Sequence, residues 1–429
     1  MFKNYLTIYK KEILSFSISF IGATIGLFCD IIFARLLTAN DYGIFRYFYT
    51  FVLIFSLLLS FGASQLLIKN FAENISSNKK IKAFYYQIII STFLLILFII
   101  LFSFFYKDNY SIKIVLSTYF FIFIYLWIYL RIFFIALRAI TIGIGNYIEA
   151  QISDRFLINL LLIFLIFIFY ILNLKIDLFN IFLLNLLVLS ISIIFLFSSI
   201  NKKKLNFFKI KLSTLNYTGM VSRVNTSKYT SGTEILELFI RQGIILVMAL
   251  SYTFTEIAIL AVLLRVSDAV FLISASLMSI YSNKISSNNH KIRSSVIKKI
   301  NNFNFISMIF ALIFFFIFGY YILNLFGEIY STYQWSLFII VFSIFLKLLF
   351  GPSSFILNVH GESKINFKIN FFTSIITLIS LGYFSKFLSI QEILFIYVLL
   401  NVLNNIILSF VCYKKLNIRA DIFNFYNAK

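Results

Sequence analysis

Residues 178–200 read LFNIFLLNLLVLSISIIFLFSSI and residues 201–228 continue as NKKKLNFFKIKLSTLNYTGMVSRVNTSK, and the join between the two stretches decides the architecture. The first stretch carries no charge and, as a helix rising about 1.5 Å per residue, is long enough to cross about 30 Å of hydrocarbon. The second opens on Lys202, Lys203 and Lys204 and is the longest polar break in the chain. An apolar run stopped by lysines marks a membrane span ending on the face where basic residues accumulate.

Working outward from this join, polar breaks divide the chain into twelve such runs, at about 13–34, 44–68, 84–105, 112–137, 153–172, 178–200, 229–250, 256–282, 303–326, 333–357, 367–385 and 391–413. Each must be a helix, because an open strand would leave backbone groups unpaired in lipid. Apolar side chains make up 61% of the 429 residues, charged ones only 12%, and mean hydropathy is +0.97, where ordinary soluble domains carry about a quarter charged residues. The expected fold is therefore an all-α polytopic membrane protein of about 12 transmembrane helices.

The polar break also sets the domains: an N-terminal six-helix bundle over 1–200, a basic cytoplasmic linker over 201–228 and a C-terminal six-helix bundle over 229–429. An even number of helices per half gives both halves the same orientation, as for repeats related by a pseudo-two-fold axis along the membrane normal. A faint internal repeat agrees. Asp41-Tyr42-Gly43-Ile44-Phe45 opens the second run and Lys69 follows Asp41 by 28 residues, while Glu256-Ile257-Ala258-Ile259 opens the eighth and Lys284 follows Glu256 by the same 28.

A formal charge of +21 would suit a nucleic-acid-binding protein if it were gathered into a patch, but these lysines and arginines sit between apolar runs. Twenty-seven fall in the segments of one face against six on the other, namely Arg35, Arg46, Lys107, Lys113, Lys175 and Lys386. By the positive-inside rule both termini face the cytoplasm, and nucleic acid is not an expected partner. The heavy use of Ile, Phe, Asn, Lys and Tyr points to an AT-rich bacterial genome, hence a multi-pass protein of the bacterial inner membrane. Lys3, Lys10 and Lys11 precede an apolar run too long for a signal-peptide core, so this run is read as the first membrane anchor.

No catalytic constellation is visible. The only histidines, His290 and His360, fall in inner loops, Cys29 and Cys412 lie in apolar runs at opposite ends, and no Walker-type glycine loop occurs. The expectation is a protein that is not an enzyme, with no cofactor and no metal site. The informative residues are charges within the runs, since a charge at the bilayer centre costs about 2.5–3.5 kcal/mol on insertion scales and so faces a partner or a wet cavity. They are Asp30, Arg131, Glu234, Glu237, Arg241, Arg265, Asp268 and Lys347, with Arg35 and Arg46 near outer ends. Arg131 is close enough to its inner end to snorkel. Glu237 with Arg241, and Arg265 with Asp268, share helix faces at four and three residues' spacing, so each pair can neutralise itself. Lys347 lies about 21 Å into its run with no acid near it in sequence. Positive charge exceeds negative in these spans, which favours an anionic substrate. Gly22 and Gly26 read either as a packing step or as a flexible gate, and Gly351-Pro352 predicts a kink.

Arg35-Leu36-Leu37, Asp41-Tyr42-Gly43-Ile44-Phe45 and Phe61-Gly62-Ala63 resemble the first-to-second-helix signature of the polysaccharide-transporter branch, the Wzx-type O-antigen flippases, of the multidrug/oligosaccharidyl-lipid/polysaccharide (MOP) exporter superfamily. Leu325-Phe326-Gly327-Glu328-Ile329-Tyr330, Gly351-Pro352 and Asn358 to Gly361 are similar to its pattern over the ninth to eleventh helices, and Leu264-Arg265-Val266 through Ser286 to its eighth. Asn283 departs from the proline that relatives often place before the basic loop.

The resemblance implies two six-helix bundles around a cationic cavity that alternates between membrane faces, with Arg35, Arg241 and Arg265 lining it. The expected function is translocation of a polyprenyl-diphosphate-linked oligosaccharide between leaflets. Arg35, Arg46, Arg241, Arg265 and Lys347 are the substrate-binding residues, and Asp30, Glu234, Glu237 and Asp268 are candidates for ion coupling. Its partners would be the lipid-linked oligosaccharide, the bilayer, and a glycan polymerase with other assembly proteins. A multidrug antiporter would favour an acidic cavity, and a polymerase or glycosyltransferase would need a sizeable outer loop. Every outer loop here is short.

Overall fold

The computed structural model describes residues 2–60, 63–72, 77–106, 118–201, 217–285 and 290–422. These form long helices in chain order: α1 (Phe2–Leu36), α2 (Ala39–Ser60, followed by a short helix Ala63–Ala72), α3 (Ser77–Tyr106), α4 (Thr118–Gly143), α5 (Tyr147–Ile171), α6 (Leu178–Asn201), α7 (Tyr217–Met248), α8 (Phe254–Ile285), α9 (His290–Phe326), α10 (Gln334–Leu349, followed by Ser353–Val359), α11 (Ser363–Phe384) and α12 (Ile390–Leu416). Among the described residues eight helices are long and apolar enough to cross a membrane, and the bent pair at α10 makes nine. The protein is an all-α multi-pass membrane protein.

Helix bounds overrun the apolar runs at several polar ends. α9 starts at His290 rather than near 303, and α7 starts at Tyr217, inside the stretch expected to be linker. Hydropathy detects where lipid begins, whereas backbone hydrogen bonding carries a helix on into the polar interface. Residues 202–216 of the expected linker, and Phe61-Gly62 of the expected signature, lie outside the described residues.

The chain divides into two compact units. Unit 1 is Met1–Cys29 with Phe48–Ile235, and unit 2 is Asp30–Tyr47 with Leu236–Lys429. The last turns of α1 and the first of α2 thus cluster with the C-terminal helices.

In unit 1, α4 packs against Ala63–Ala72, α3 and α6. Ile128, Phe134, Leu137 and Ile140 are fully buried along α4. Trp127 meets Tyr49 and Phe182 edge-on at centroid distances of 5.8 and 5.5 Å, a geometry aromatic quadrupoles prefer. Gly22 on α1 lies against the backbone of Arg155 on α5, where an added Cβ would come within 2.8 Å of the Arg155 carbonyl carbon, and its own carbonyl accepts from Asn159 Nδ2 at 3.1 Å. This is close helix packing, the first of the two readings of Gly22. Residues 152–157 of α5 form a π-helical turn.

In unit 2, α8 is apolar around its whole circumference from Ile257 to Leu264 and is buried throughout, packing on α9 and α10. The kink expected at Gly351-Pro352 is present: Gln334–Leu349 and Ser353–Val359 meet at 43°. Gly351 has φ of +69°, and an added Cβ would sit 1.7 Å from the carbonyl oxygen of Ala420. The segment after α12 crosses this break. Ile422 N–H donates to Leu349 O at 3.0 Å, and Asn301 Nδ2 donates to Ala420 O at 2.7 Å. A carbonyl freed by the break is thereby satisfied.

Candidate functional site

The site in unit 2 begins with a helix start. Thr38 Oγ1 accepts from Asp41 N–H at 3.1 Å and donates to Asp41 Oδ2 at 2.8 Å, fixing the first turn of α2. One turn on, an added Cβ on Gly43 would sit 1.7 Å from Phe254 O, so the backbones of α2 and α8 touch. Tyr47 adds an edge-on ring contact to Phe254 at 6.0 Å. Tyr42, Ile44 and Phe45 are buried beside this contact.

This contact carries Arg46 inward against the end of α1. Arg46 Nη1 lies 3.1 Å from Asp30 Oδ1, and the two side chains are 7% and 8% exposed. Arg265 Nε, from α8, pairs with the other carboxylate oxygen of Asp30. One buried carboxylate therefore serves two guanidiniums, and the trio keeps one net positive charge. The buried hydroxyls of Tyr42 and Tyr330, within electrostatic reach of each other, have no hydrogen-bond partner among the described residues, and Tyr42 is also within reach of the trio.

A second group of charges lies on α7, α8 and α10 of unit 2. Arg241 Nε stands 3.8 Å from Asp268 Oδ1, and its side chain is 46% exposed. Lys347 Nζ lies 5.4 Å from the centre of the Phe271 ring, a cation–π contact, with Glu237, Arg241 and Asp268 within electrostatic reach. Ser354 donates to Glu237, Asn366 Nδ2 donates to Ser354 Oγ at 2.9 Å, and the chain continues through Asn370 to Asn404. Arg35 does something different. Its guanidinium donates to Leu325 O at 2.8 Å and to Asn324 O, closing the carboxyl end of α9 where carbonyls lack helical partners.

No protein-family model matches the chain, and no curated protein matches it. Solved structures do. An inward-facing multidrug resistance MATE family transporter of the MOP superfamily superposes with a TM-score of 0.70 at 13% identity, covering 95% of this chain and 98% of that one. Its outward-facing counterpart gives 0.65 at 12%, covering 95% and 94%. A MOP superfamily transporter from Pyrococcus furiosus, for which reverse polarity of the binding pocket suggests a different function, gives 0.62 at 12%, covering 95% of each. The fold is that of the MOP-superfamily transporters.

On this fold, the residues singled out by sequence part company. Asp30, Arg46 and Arg265 come together, and Arg241, Asp268 and Lys347 lie about a second centre in the same unit, with Glu237 in reach. Arg35 is drawn off to the end of α9. Glu234 lies in unit 1, accepting from Ser64 Oγ at 3.0 Å. The same-helix pairing open to Glu237 with Arg241 and to Arg265 with Asp268 does not occur: Arg241 and Arg265 turn to acids on other helices, and Glu237 takes a serine. Arg131, read as snorkelling, instead faces Asp154 at 3.6 Å. Sequence reasoning passed over Asp154, which lies at the margin of an apolar run, and over Asn366, Asn370 and Asn404. Asparagines recurring at helical spacing inside apolar runs were the available signal for these.

Proposed function

We propose that the chain is a transporter that flips a polyprenyl-diphosphate-linked oligosaccharide, the unit of an O-antigen or related surface glycan, from the cytoplasmic to the periplasmic leaflet of a bacterial inner membrane. It would work by alternating access between a bundle over 1–200 and another over 229–429, with both termini in the cytoplasm. The observation that carries this is the Asp30 trio, in which two arginines of unit 2 share one carboxylate. Half-exposed Arg241 stands with Lys347, Glu237 and Asp268, four charges that sum to zero, so the excess lies with the trio.

A diphosphate and a chain of sugar hydroxyls cannot enter hydrocarbon at useful rates without such a wet, cationic path. Guanidinium forks suit phosphate oxygens, and the polyprenyl tail can remain in lipid. The glycan polymerase and other assembly proteins would act on the delivered unit. Glu237, at the head of the asparagine chain, is the coupling candidate with a polar route into α11 and α12. A second reading, a multidrug antiporter, draws on the likeness to MATE multidrug resistance transporters. The net positive charge of unit 2 weighs against it, because cationic drugs need an acidic cavity.

The test is complementation of a deletion strain. Arg265→Gln and Arg241→Gln should each abolish surface glycan while protein level stays at wild type, with drug susceptibility unchanged. Normal glycan in both variants would refute the flippase reading. Drug sensitivity of the deletion strain alongside intact glycan would favour the antiporter.

A further inference from the structure

We infer that unit 1 carries a second anion site, built by Arg131 and Arg138 on α4 around Asp154 on α5, that holds the phosphate of an anionic lipid headgroup. This inference does not rest on the flippase reading, because none of these residues belongs to the cluster proposed above to meet the oligosaccharide carrier.

Arg131 and Arg138 are seven residues apart, two helical turns, and so project from one face of α4. Both reach the same carboxylate: Arg131 Nη2 stands 3.6 Å from Asp154 Oδ1 and Arg138 Nη2 3.3 Å from Asp154 Oδ2. Each distance exceeds the roughly 2.7–2.9 Å of a closed charge-assisted hydrogen bond. The Nε of each arginine is buried with no hydrogen-bond partner among the described residues. One carboxylate between two loosely held guanidiniums leaves the cluster with an excess of positive charge and with N–H donors unused. Arg155, next in the chain on the π-helical turn, puts a third positive charge within electrostatic reach. π-turns inside α-helices are frequent at functional sites. A phosphate offers the oxygens that the carboxylate lacks.

Depth and surroundings specify a lipid. Arg138 lies about 8 Å along α4 from its end at Gly143, and Asp154 about 10 Å into α5 from Tyr147, by helical rise. That places them near the interface which the charge bias assigns to the cytoplasm, where anionic lipids would meet them. Arg138 is 36% exposed. Farther along α5, Leu160, Phe164, Phe167 and Ile171 are all exposed and recur at helical spacing, forming an apolar stripe along which acyl chains can lie.

The experiment uses the purified full-length protein in nanodiscs of phosphatidylcholine alone or with phosphatidylglycerol, with inorganic diphosphate added to the former as a separate arm. Phosphatidylglycerol should raise the apparent unfolding temperature by about 3–5 °C. Arg138→Gln should abolish the rise, and Lys298→Gln, an exposed lysine of α9, should leave it intact. If Arg138→Gln fails to fold, Asp154→Asn serves instead: with the competing carboxylate gone, half-saturation should need several-fold less phosphatidylglycerol. A comparable rise with inorganic diphosphate, lost in the same variants, would keep the anion site and overturn its assignment to a lipid. No rise in either arm, or a rise that survives Arg138→Gln, would overturn the site.

Discussion

Two carboxylates in this molecule, Asp30 and Asp154, each hold two arginines, yet they are built differently. Asp30 in unit 2 is gripped from two elements, Arg46 from α2 and Arg265 from α8, with its own side chain 8% exposed. Asp154 in unit 1 is met by two arginines of a single helix at 3.3 and 3.6 Å, with exposures of 16–36% across the cluster. The backbone contact of Gly43 with Phe254 draws α2 and α8 together and so closes the first cluster, whereas both arginines that reach Asp154 come from α4. Identical charge stoichiometry thus yields a tight clamp drawn from two helices in one unit and a looser cluster on one helix in the other. Geometry, rather than charge count, separates them.

Removing the carboxylates should break the comparison most sharply. Asp30→Ala takes from Arg46, 7% exposed, and Arg265, 32% exposed, the carboxylate they share, and losing one partner of a buried ion pair costs about 3–5 kcal/mol. Asp154→Ala loses longer pairs, at 3.3 and 3.6 Å, one of them to the 36% exposed Arg138, and should cost less. The apparent unfolding temperature of the two purified variants in the same detergent should therefore fall much farther for Asp30→Ala. Equal falls would erase the distinction between the tight clamp and the looser cluster.

The helix count was legible because each lipid crossing demands an uninterrupted apolar run, and the kink at Gly351-Pro352 was legible because proline removes a donor and glycine accepts positive φ. What one sequence cannot display is which helix faces which. Arg265 and Asp268 sit three residues apart and look self-neutralising, yet Arg265 finds Asp30 from 235 positions away. Arg35 drew attention as a cation in a signature motif, while its partners are carbonyls, which carry no mark in a sequence. The signature itself turns out to be largely structural: Asp41 braces the capping Thr38, Gly43 permits backbone contact, and Tyr42 fills the core.

The glycines that set these contacts give the next largest effect. A Cβ on Gly43 would collide with Phe254 O at 1.7 Å, backbone against backbone, and α2 would have to move away from α8. Gly43→Ala should cost about 3 kcal/mol, the upper part of the overpacking range, and Gly22→Ala, whose Cβ would meet Arg155 at 2.8 Å, somewhat less. Gly43→Ala should also separate Arg46 from Asp30. In the Gly43→Ala background, then, Asp30→Ala should lower the unfolding temperature by less than it does in wild type. Simple additivity of the two changes would mean that Gly43 does not set the clamp.

The smallest effect sharpens the comparison at its origin, the helix starts that meet at Gly43. Thr38 with Asp41 and Thr253 with Glu256 form matching caps on α2 and α8, which explains why the two acids occupy equivalent places in the faint internal repeat. The caps differ in one bond. Glu256 Oε2 also accepts the backbone N–H of Thr253 at 2.9 Å, a bond that survives truncation of the threonine side chain. Thr38→Ala should therefore cost about 1 kcal/mol and Thr253→Ala less, within the range for cap removal. Adding Glu256→Ala to Thr253→Ala removes the surviving backbone bond and should bring the loss up to that of Thr38→Ala. If Thr253→Ala alone already matched it, the backbone bond would contribute nothing, and the two helix starts would be energetic as well as sequence equivalents.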